Sequence, residues 1–181
     1  MGQLKPCILI IEFIGRVPLS ASVFQNILHA LGPTVFEKGT DTRDTVRQAA
    51  LDTVYDWYAG LYSHSKTHAL VMMKKELEDE VVKNLSGKNP KAKEFALDLL
   101  SKFLSNKLSD FWSDLVPCLV SLLNDSVELV RKMAKELLDE LSHYQDRGLL
   151  KVIQKELIDQ NIKSKIAKEF IDQKVESVIS F

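Results

Sequence analysis

The sequence predicts an all-α protein built from antiparallel pairs of helices, and three observations support that prediction. Apolar residues recur at helical spacing along most of the chain, as at Leu97, Leu100 and Leu104. No stretch shows the strict alternation of apolar and polar residues that is typical of a β-strand. The 181 residues include only 7 glycines and 5 prolines, which is sparse for a chain that would need many strand-ending turns.

Short polar segments divide the helical pattern into elements. They are rich in Gly, Asn, Asp, Ser and Pro, the residues that cap and end helices. In chain order they are GPT (32–34), EKGTDT (37–42), SHSK (63–66), SGKNP (86–90), SNKLS (105–109), LNDS (123–126), YQDRG (144–148) and DQN (159–161). We therefore expect about eight or nine helices in one domain that covers residues 1–181, with residues 1–19 as an incomplete terminal repeat.

Composition and charge exclude several classes of protein. The formal net charge is -1, so a strongly basic nucleic-acid binder is not indicated. No apolar run approaches the roughly 18 residues of a membrane-spanning helix. The apolar N-terminal run ends at Glu12 without a cleavage site, and Cys7 and Cys118 lie in apolar contexts outside any CxxC pair. We expect a soluble protein of a reducing, cytoplasmic compartment that binds neither nucleic acid nor membrane.

An internal repeat runs through the chain. The segments VRKMAKELLDEL (130–141) and KSKIAKEFIDQK (163–174) share a pattern of Ala, Lys, Glu and apolar residues, and the segments at 46–57 and 92–103 are weaker copies. The copies align on one small residue, which lets a neighbouring helix pair approach closely. These residues are Ala50, Ala96, Ala134 and Ala167.

A basic residue precedes the alanine by three positions in three of these copies. Arg47 and Arg131 are two of them, and each follows an aspartate in the preceding turn, Asp41 and Asp125 respectively. We expect the aspartate carboxylates to hold these two guanidinium groups. That arrangement would stabilise the turn and is more typical of a scaffold than of a binding site.

The segment LVPCLVSLLNDSVELVRKMAKELL (115–138) resembles a HEAT repeat. It has an apolar first helix with an internal proline, a short turn that contains Asp, and then the pattern V-R-x-x-A-x-x-x-L. The resemblance extends more weakly over most of the chain. It implies an alpha-alpha superhelix, a HEAT-type solenoid in which the loops inside each helix pair line one edge.

Two further segments resemble the TOG domains of microtubule-associated proteins. GKNPKAKEFA (87–96) is similar to a TOG turn, and RDTVRQAALDTVYDWYAG (43–60) is similar to the TOG helix that ends in aromatic residues. The resemblance implies a non-enzymatic, armadillo-like helical module that binds tubulin or microtubules, in the cytoplasm and at the cytoskeleton, centrosome or cilium. The partner-binding residues that it implies are Lys38, Arg43, Lys88, Asn89, Lys91 and Lys163. Basic side chains would suit an acidic partner.

An aromatic cluster in the second helix allows two interpretations. Tyr55, Trp57, Tyr58 and Tyr62 lie within eight positions and cannot all point towards the core. They either pack inside and between the repeats or present an aromatic anchor to a partner.

Two alternatives to tubulin binding remain. One is a general HEAT-repeat scaffold or adaptor that holds another protein through a different surface. The other is an enzyme on a HEAT-like array, such as an alkylpurine DNA glycosylase, which would need a strongly basic concave face. The chain carries no phosphate-binding glycine loop and no nucleophile motif, so we expect no enzymatic activity, no cofactor and no metal.

Overall fold

The computed structural model describes residues 21–64, 71, 77–106, 115–143 and 147–160, and within these ranges it contains seven α-helices and no β-strand. The helices are α1 (Ala21–Lys38), α2 (Asp44–His64), α3 (Glu78–Ser86), α4 (Pro90–Ser105), α5 (Val116–Leu122), α6 (Glu128–His143) and α7 (Arg147–Asp159). The all-α prediction is confirmed for the described residues. The superhelix and the count of eight or nine helices stay predictions.

The chain divides into two compact units, residues 1–111 with α1 to α4 and residues 112–181 with α5 to α7. In the first unit α1 packs on α2, α3 packs on α4, and α2 packs on α4, so two helix pairs are joined through their second helices. In the second unit α5 packs on both α6 and α7. The expected single domain over residues 1–181 stays a prediction.

Most of the predicted breaks coincide with helix ends, but the break at GPT (32–34) is wrong. Helix α1 continues through Gly32 and Pro33 to Lys38. Proline removes one backbone hydrogen bond from a helix. Here Pro33 lies at the surface, whereas Val35 and Phe36 in the next turn are buried. The second half of α1 thus packs its apolar face, and that burial stabilises the helix beyond the proline.

The core of the first unit answers the question about the aromatic cluster. Trp57 and Tyr58 are each 1% exposed, so they belong to the core. The ring of Tyr58 meets that of Phe103 edge to face, with 5.9 Å between the ring centroids. Tyr55 lies at the α2–α4 contact, 5.8 Å from Phe103 between ring centroids. The side chain of Tyr62 lies outside the described residues. Core packing explains these three aromatics without an anchor for a partner.

The three described alanines on which the repeats align are buried, and their role in the stacking of neighbouring helix pairs stays a prediction. Ala50 is 3% exposed, and Ala96 and Ala134 are fully buried. Ala167 lies outside the described residues. A small side chain at each of these positions lets the helix backbone lie close to its neighbours.

Candidate functional site

The turn between α1 and α2 is closed by hydrogen bonds between Asp41 and Arg43. The Asp41 carboxylate accepts hydrogen bonds from Arg43 Nε and Nη2, both at 2.9 Å, and from the Arg43 backbone N–H at 2.9 Å. These bonds from the Arg43 side chain and backbone hold the pKa of Asp41 well below its usual range. The guanidinium of Arg43 is therefore already paired with a carboxylate of its own turn.

The turn between α5 and α6 repeats much of this arrangement. The Asp125 carboxylate accepts from the Val127 backbone N–H at 2.8 Å, as Asp41 does from Arg43. Arg131 Nη1 donates to the Asp125 backbone carbonyl at 2.6 Å. Each aspartate thus begins its turn by binding the backbone N–H two residues later.

The expectation that carboxylates hold the two repeat arginines is wrong for these aspartates. Arg47 Nη1 donates to the backbone carbonyl of Asp41 at 2.5 Å, and Arg131 does the same with Asp125. The aspartate carboxylates are occupied by backbone N–H groups nearer in sequence, because a short side chain reaches its own turn first. Arg47 also forms an ion pair with Asp44, a carboxylate in the first turn of α2.

The turn between α3 and α4 is held by a helix cap. Asn89 Oδ1 accepts from the Lys91 backbone N–H at 3.0 Å, and Pro90 opens α4. An asparagine cap followed by proline at the first helical position is a favoured way to begin a helix. The side chain of Asn89 is therefore engaged in the fold, although it was predicted to contact a partner.

The basic side chains predicted for the site differ in how far they are compensated. Lys38 Nζ lies 3.8 Å from the Glu37 carboxylate, and Lys91 Nζ lies 2.5 Å from that of Glu94. Lys88 is exposed, and in the described part of the chain it has neither an ion pair nor a hydrogen bond through its side chain. Lys163 lies outside the described residues.

The two turns of the first unit also differ in charge. Residues 37–44 carry three acidic and two basic side chains, whereas residues 83–93 carry four lysines and no acidic side chain. Positive charge at this end of the unit is thus concentrated in the second turn. We call the segments 38–43 and 87–91 together the turn edge.

Gly39 fixes the first turn against α4. A Cβ atom on Gly39 would lie 2.4 to 2.6 Å from ring atoms of Phe95, far inside van der Waals contact. The Phe95 ring also meets Phe36 edge to face, with 5.7 Å between centroids. Only glycine leaves room for this ring, so the turn of the first pair lies directly on the first helical turns of α4.

A groove of about 400 Å³ lies between the N-terminal halves of α2 and α4, and we call it the α2–α4 groove. Its lining is mixed in charge, with three carboxylates, two basic side chains and an apolar wall. The lining residues are Gly39, Asp44, Thr45, Arg47, Gln48, Leu51, Lys91, Glu94, Phe95 and Asp98. Because Gly39 and Lys91 belong to this lining, the groove opens beside the turn edge.

Asp98 differs from the other charged groups of the groove. Asp44 is paired with Arg47, and Glu94 is paired with Lys91. Asp98 has no hydrogen bond or ion pair within the described residues. Asp98 is an exposed residue whose carboxyl group is only partly desolvated. This desolvation, followed by the negative charge of Glu94, raises the pKa of Asp98, while the charges of Arg47 and Lys91 act in the opposite direction. Among the charged groups of the groove lining, its carboxylate is the one without an ion pair in the described residues.

A polar contact between Asp52 of α2 and Lys102 of α4 also joins these two helices, and we call it the clamp. Lys102 Nζ lies 2.6 Å from Asp52 Oδ1, which also accepts from Gln48 Nε2 at 2.9 Å. The same ammonium group lies 4.5 Å from the centroid of the Tyr55 ring, a cation–π contact. Asp52 and Lys102 follow the groove residues Gln48 and Asp98 by four positions each, and neither lines the groove.

Sequence reasoning missed Gly39, Asp98 and the clamp. Gly39 entered the sequence analysis only as part of the turn segment EKGTDT, and Asp98 was not singled out. A contact between residues about fifty positions apart, such as Asp52 with Lys102, leaves no periodic signal in one sequence. Only the packing of α2 on α4 brings these residues together.

The described residues contain neither a candidate metal site nor a candidate membrane-spanning helix. No group of three His, Cys, Asp or Glu side chains in these ranges is placed to hold a metal ion. No helix in these ranges has both the length and the apolar character needed to cross a membrane.

Comparison with known proteins identifies one repeat. The family model of the HEAT repeat matches residues 115–145, which contain α5 and α6 and the turn between them. Neither the curated proteins nor the solved structures contain a match to this chain. The match and the helical architecture of the described residues together support a HEAT-repeat protein, a helical scaffold suited to protein interaction.

Proposed function

We propose that this chain is a non-enzymatic protein-binding module that docks an acidic protein on the turn edge of its first unit. The observation that carries the proposal is Lys88, an exposed ammonium group without an ion pair in the described residues. It lies in the segment 83–93, which has four lysines, two of which pair with Glu80 and Glu94 just outside it. An uncompensated lysine is free to pair with a carboxylate of another protein. Long-range attraction between such surfaces raises the rate of association.

The rigidity of the turn supports the same proposal. The Asn89 cap holds the start of α4, and Gly87 N–H donates to the Asn84 carbonyl at 3.3 Å. A turn that is ordered before binding loses little conformational entropy when the partner arrives. Lys88 is therefore presented from a defined backbone.

Tubulin is the partner that we propose, because the GKNPK turn is similar to that of TOG domains and tubulin is acidic. Lys88 would make the main contact, with Lys38, Arg43 and Lys91 beside it. These three are already paired within the chain, so each would have to share or exchange its carboxylate on binding. We expect each of them to contribute less than Lys88. Asn89 would act through the shape of the turn, and Lys163, which the sequence also predicts to bind the partner, lies outside the described residues.

Charge reversal at Lys88 tests the proposal. We expect Lys88→Glu to weaken tubulin binding by about tenfold, because attraction to a carboxylate becomes repulsion. The matched control is Lys132→Glu, which reverses an exposed lysine on α6 in the second unit and should leave affinity unchanged. Affinity would be measured by fluorescence anisotropy at two ionic strengths, since salt screens exposed charges.

Two results would contradict the proposal at different points. If the wild-type chain binds no tubulin at tens of micromolar, tubulin is the wrong partner and an adaptor for another protein takes its place. If the wild type binds and both variants bind equally well, the partner is right but the turn edge is not the interface.

A further inference from the structure

Of the three carboxylates that line the α2–α4 groove, two form ion pairs with basic residues of the same lining and one does not. Arg47 is engaged by Asp44 and by the Asp41 carbonyl, and Lys91 is engaged by Glu94. Both basic groups of the lining are therefore satisfied within the chain. Asp98, an exposed residue, lines the groove beside the negative charge of Glu94 and forms no ion pair within the described residues, although the charges of Arg47 and Lys91 act on it from a distance.

The groove has the size and walls to take one long side chain. Its volume of about 400 Å³ lies within the range of about 300–1,000 Å³ that is typical of ligand pockets. Leu51 and Phe95 give it an apolar wall, and Gln48 and Asp98 give it polar groups. A side chain with an aliphatic stem and a cationic end would match both surfaces.

We propose that the α2–α4 groove receives an arginine side chain of the protein partner, with Asp98 as its counter-ion. A guanidinium group suits this position better than an ammonium group, because its planar fork can make two hydrogen bonds to a carboxylate. The inference rests on the proposed function for the partner, and it deepens that function by naming a second and opposite charge at the interface.

Opposite charges side by side would make the interface selective. Lys88 on the turn edge would pair with a carboxylate, and Asp98 in the groove would pair with a guanidinium group. A partner that carries only acidic residues would pair with Lys88 and leave the carboxylate of Asp98 unpaired. Complementary charges of both signs thus fix the register of a partner more strongly than a uniformly basic edge does.

The first test removes the charge of Asp98 and keeps its shape. We expect Asp98→Asn to weaken tubulin binding by about threefold to tenfold, the range for an ion pair that solvent still reaches. The Tm should stay unchanged or rise, because the variant removes from the groove a negative charge that forms no ion pair in the described residues. The matched control is Asp159→Asn at an exposed aspartate of α7, and it should bind as the wild type does.

This test separates the inference from the proposed function. If Lys88→Glu weakens binding and Asp98→Asn does not, the turn edge stands and the groove inference is overturned. If Asp98→Asn weakens binding only in proportion to a lowered Tm, its effect is on folding, and the inference is overturned as well.

A second test does not depend on tubulin. The peptide acetyl-Gly-Arg-Gly-amide would be titrated into the full chain, and backbone amide signals followed by NMR. We expect shifts at Gln48, Leu51 and Asp98 with a millimolar affinity, and much smaller shifts with the citrulline peptide, which has the same shape without the charge. Equal shifts with both peptides, or no shifts, would overturn the inference. Shifts with the arginine peptide alone would support the groove even if tubulin fails to bind.

Discussion

The turn between α1 and α2 and the turn between α5 and α6 are built from the same hydrogen bonds. In each, an aspartate carboxylate accepts from the backbone N–H two residues later, and the aspartate carbonyl accepts from an arginine six residues later. The two turns differ in what surrounds these bonds. Position 43 is an arginine that pairs with Asp41, whereas the equivalent position is Val127.

The comparison separates the residues that hold the two helices of a pair together from the residues that are available to bind a partner. The aspartate and the later arginine close both turns, so they belong to the scaffold. The backbone bonds of positions 39 and 43 recur in the other turn, but the side chains differ, since Leu123 and Val127 stand where the first turn has Gly39 and Arg43. Gly39 sets the distance to α4, and Arg43 sets the charge of the surface. Function is therefore better sought among the residues that the turns do not share.

The largest expected effect is at the glycine that distinguishes the first turn. We expect Gly39→Ala to lower the free energy of unfolding by about 3 kcal/mol, because the added Cβ would overlap the buried ring of Phe95. The matched control is Gly87→Ala in the neighbouring turn, where the nearest atom would be the Lys83 carbonyl oxygen at 3.2 Å and we expect less than about 1 kcal/mol. Urea unfolding followed by circular dichroism would measure both. Equal losses would mean that Gly39 does not set the approach of the turn to α4.

A smaller effect is expected at the arginines that the two turns share. We expect Arg47→Met and Arg131→Met each to cost about 1–2 kcal/mol, since each leaves a turn carbonyl without its charged donor. Lys132→Met serves as a control, because it removes only an exposed lysine 3.8 Å from Glu136. The free energies of unfolding would come from urea titrations. If Arg131→Met costs nothing, the bond to the aspartate carbonyl does not stabilise the turn, and a loss at Arg47 alone would come from its ion pair with Asp44.

The smallest expected effect concerns the ion pair between Arg43 and Asp41, which has no equivalent at Val127 in the α5–α6 turn. The bonds from Arg43 lower the pKa of Asp41 in the folded state, so this group stabilises the fold above its unfolded pKa of about 3.9. That contribution is lost as the pH falls from about 4 towards the lower folded pKa. We expect Asp41→Asn to flatten the decline of Tm between about pH 4 and pH 2. Thermal unfolding of Arg43→Met should show a smaller flattening, because the backbone N–H of residue 43 still bonds the Asp41 carboxylate. An unchanged slope in both variants would exclude the pair as the cause.

Asp98 has the opposite effect on how the stability of the fold depends on pH. Its folded pKa is raised, so folding is less favourable when it is ionised, and its ionisation reduces stability as the pH rises through that window. The Asp98→Asn variant of the groove test removes this unfavourable contribution. Opposite signs at Asp41 and Asp98 therefore separate a carboxylate that stabilises the turn from one that we propose is held for a partner.

Particular residues show how far the sequence predicted the fold and the site. The turns EKGTDT and SGKNP were located correctly, because Gly, Asn, Asp and Pro mark helix ends through local chemistry. The break at Pro33 was wrong, since the burial of Val35 and Phe36 outweighs one missing hydrogen bond. Arg43 and Lys91 were correctly seen as basic residues near turns. Their pairing with Asp41 and Glu94 could not be read from composition, because it depends on rotamers and helix ends.

The sequence by itself determined the all-α class, most helix ends and the buried alanines at positions 50, 96 and 134. These follow from periodicity and short-range capping, which act over fewer than about ten residues. Only the tertiary structure decided that Gly39 lies on Phe95, that Lys102 reaches Asp52, and that Asp98 lines a groove without an ion pair in the described residues. The physical reason is that charge compensation and close packing depend on distances between helices, which one linear pattern does not encode.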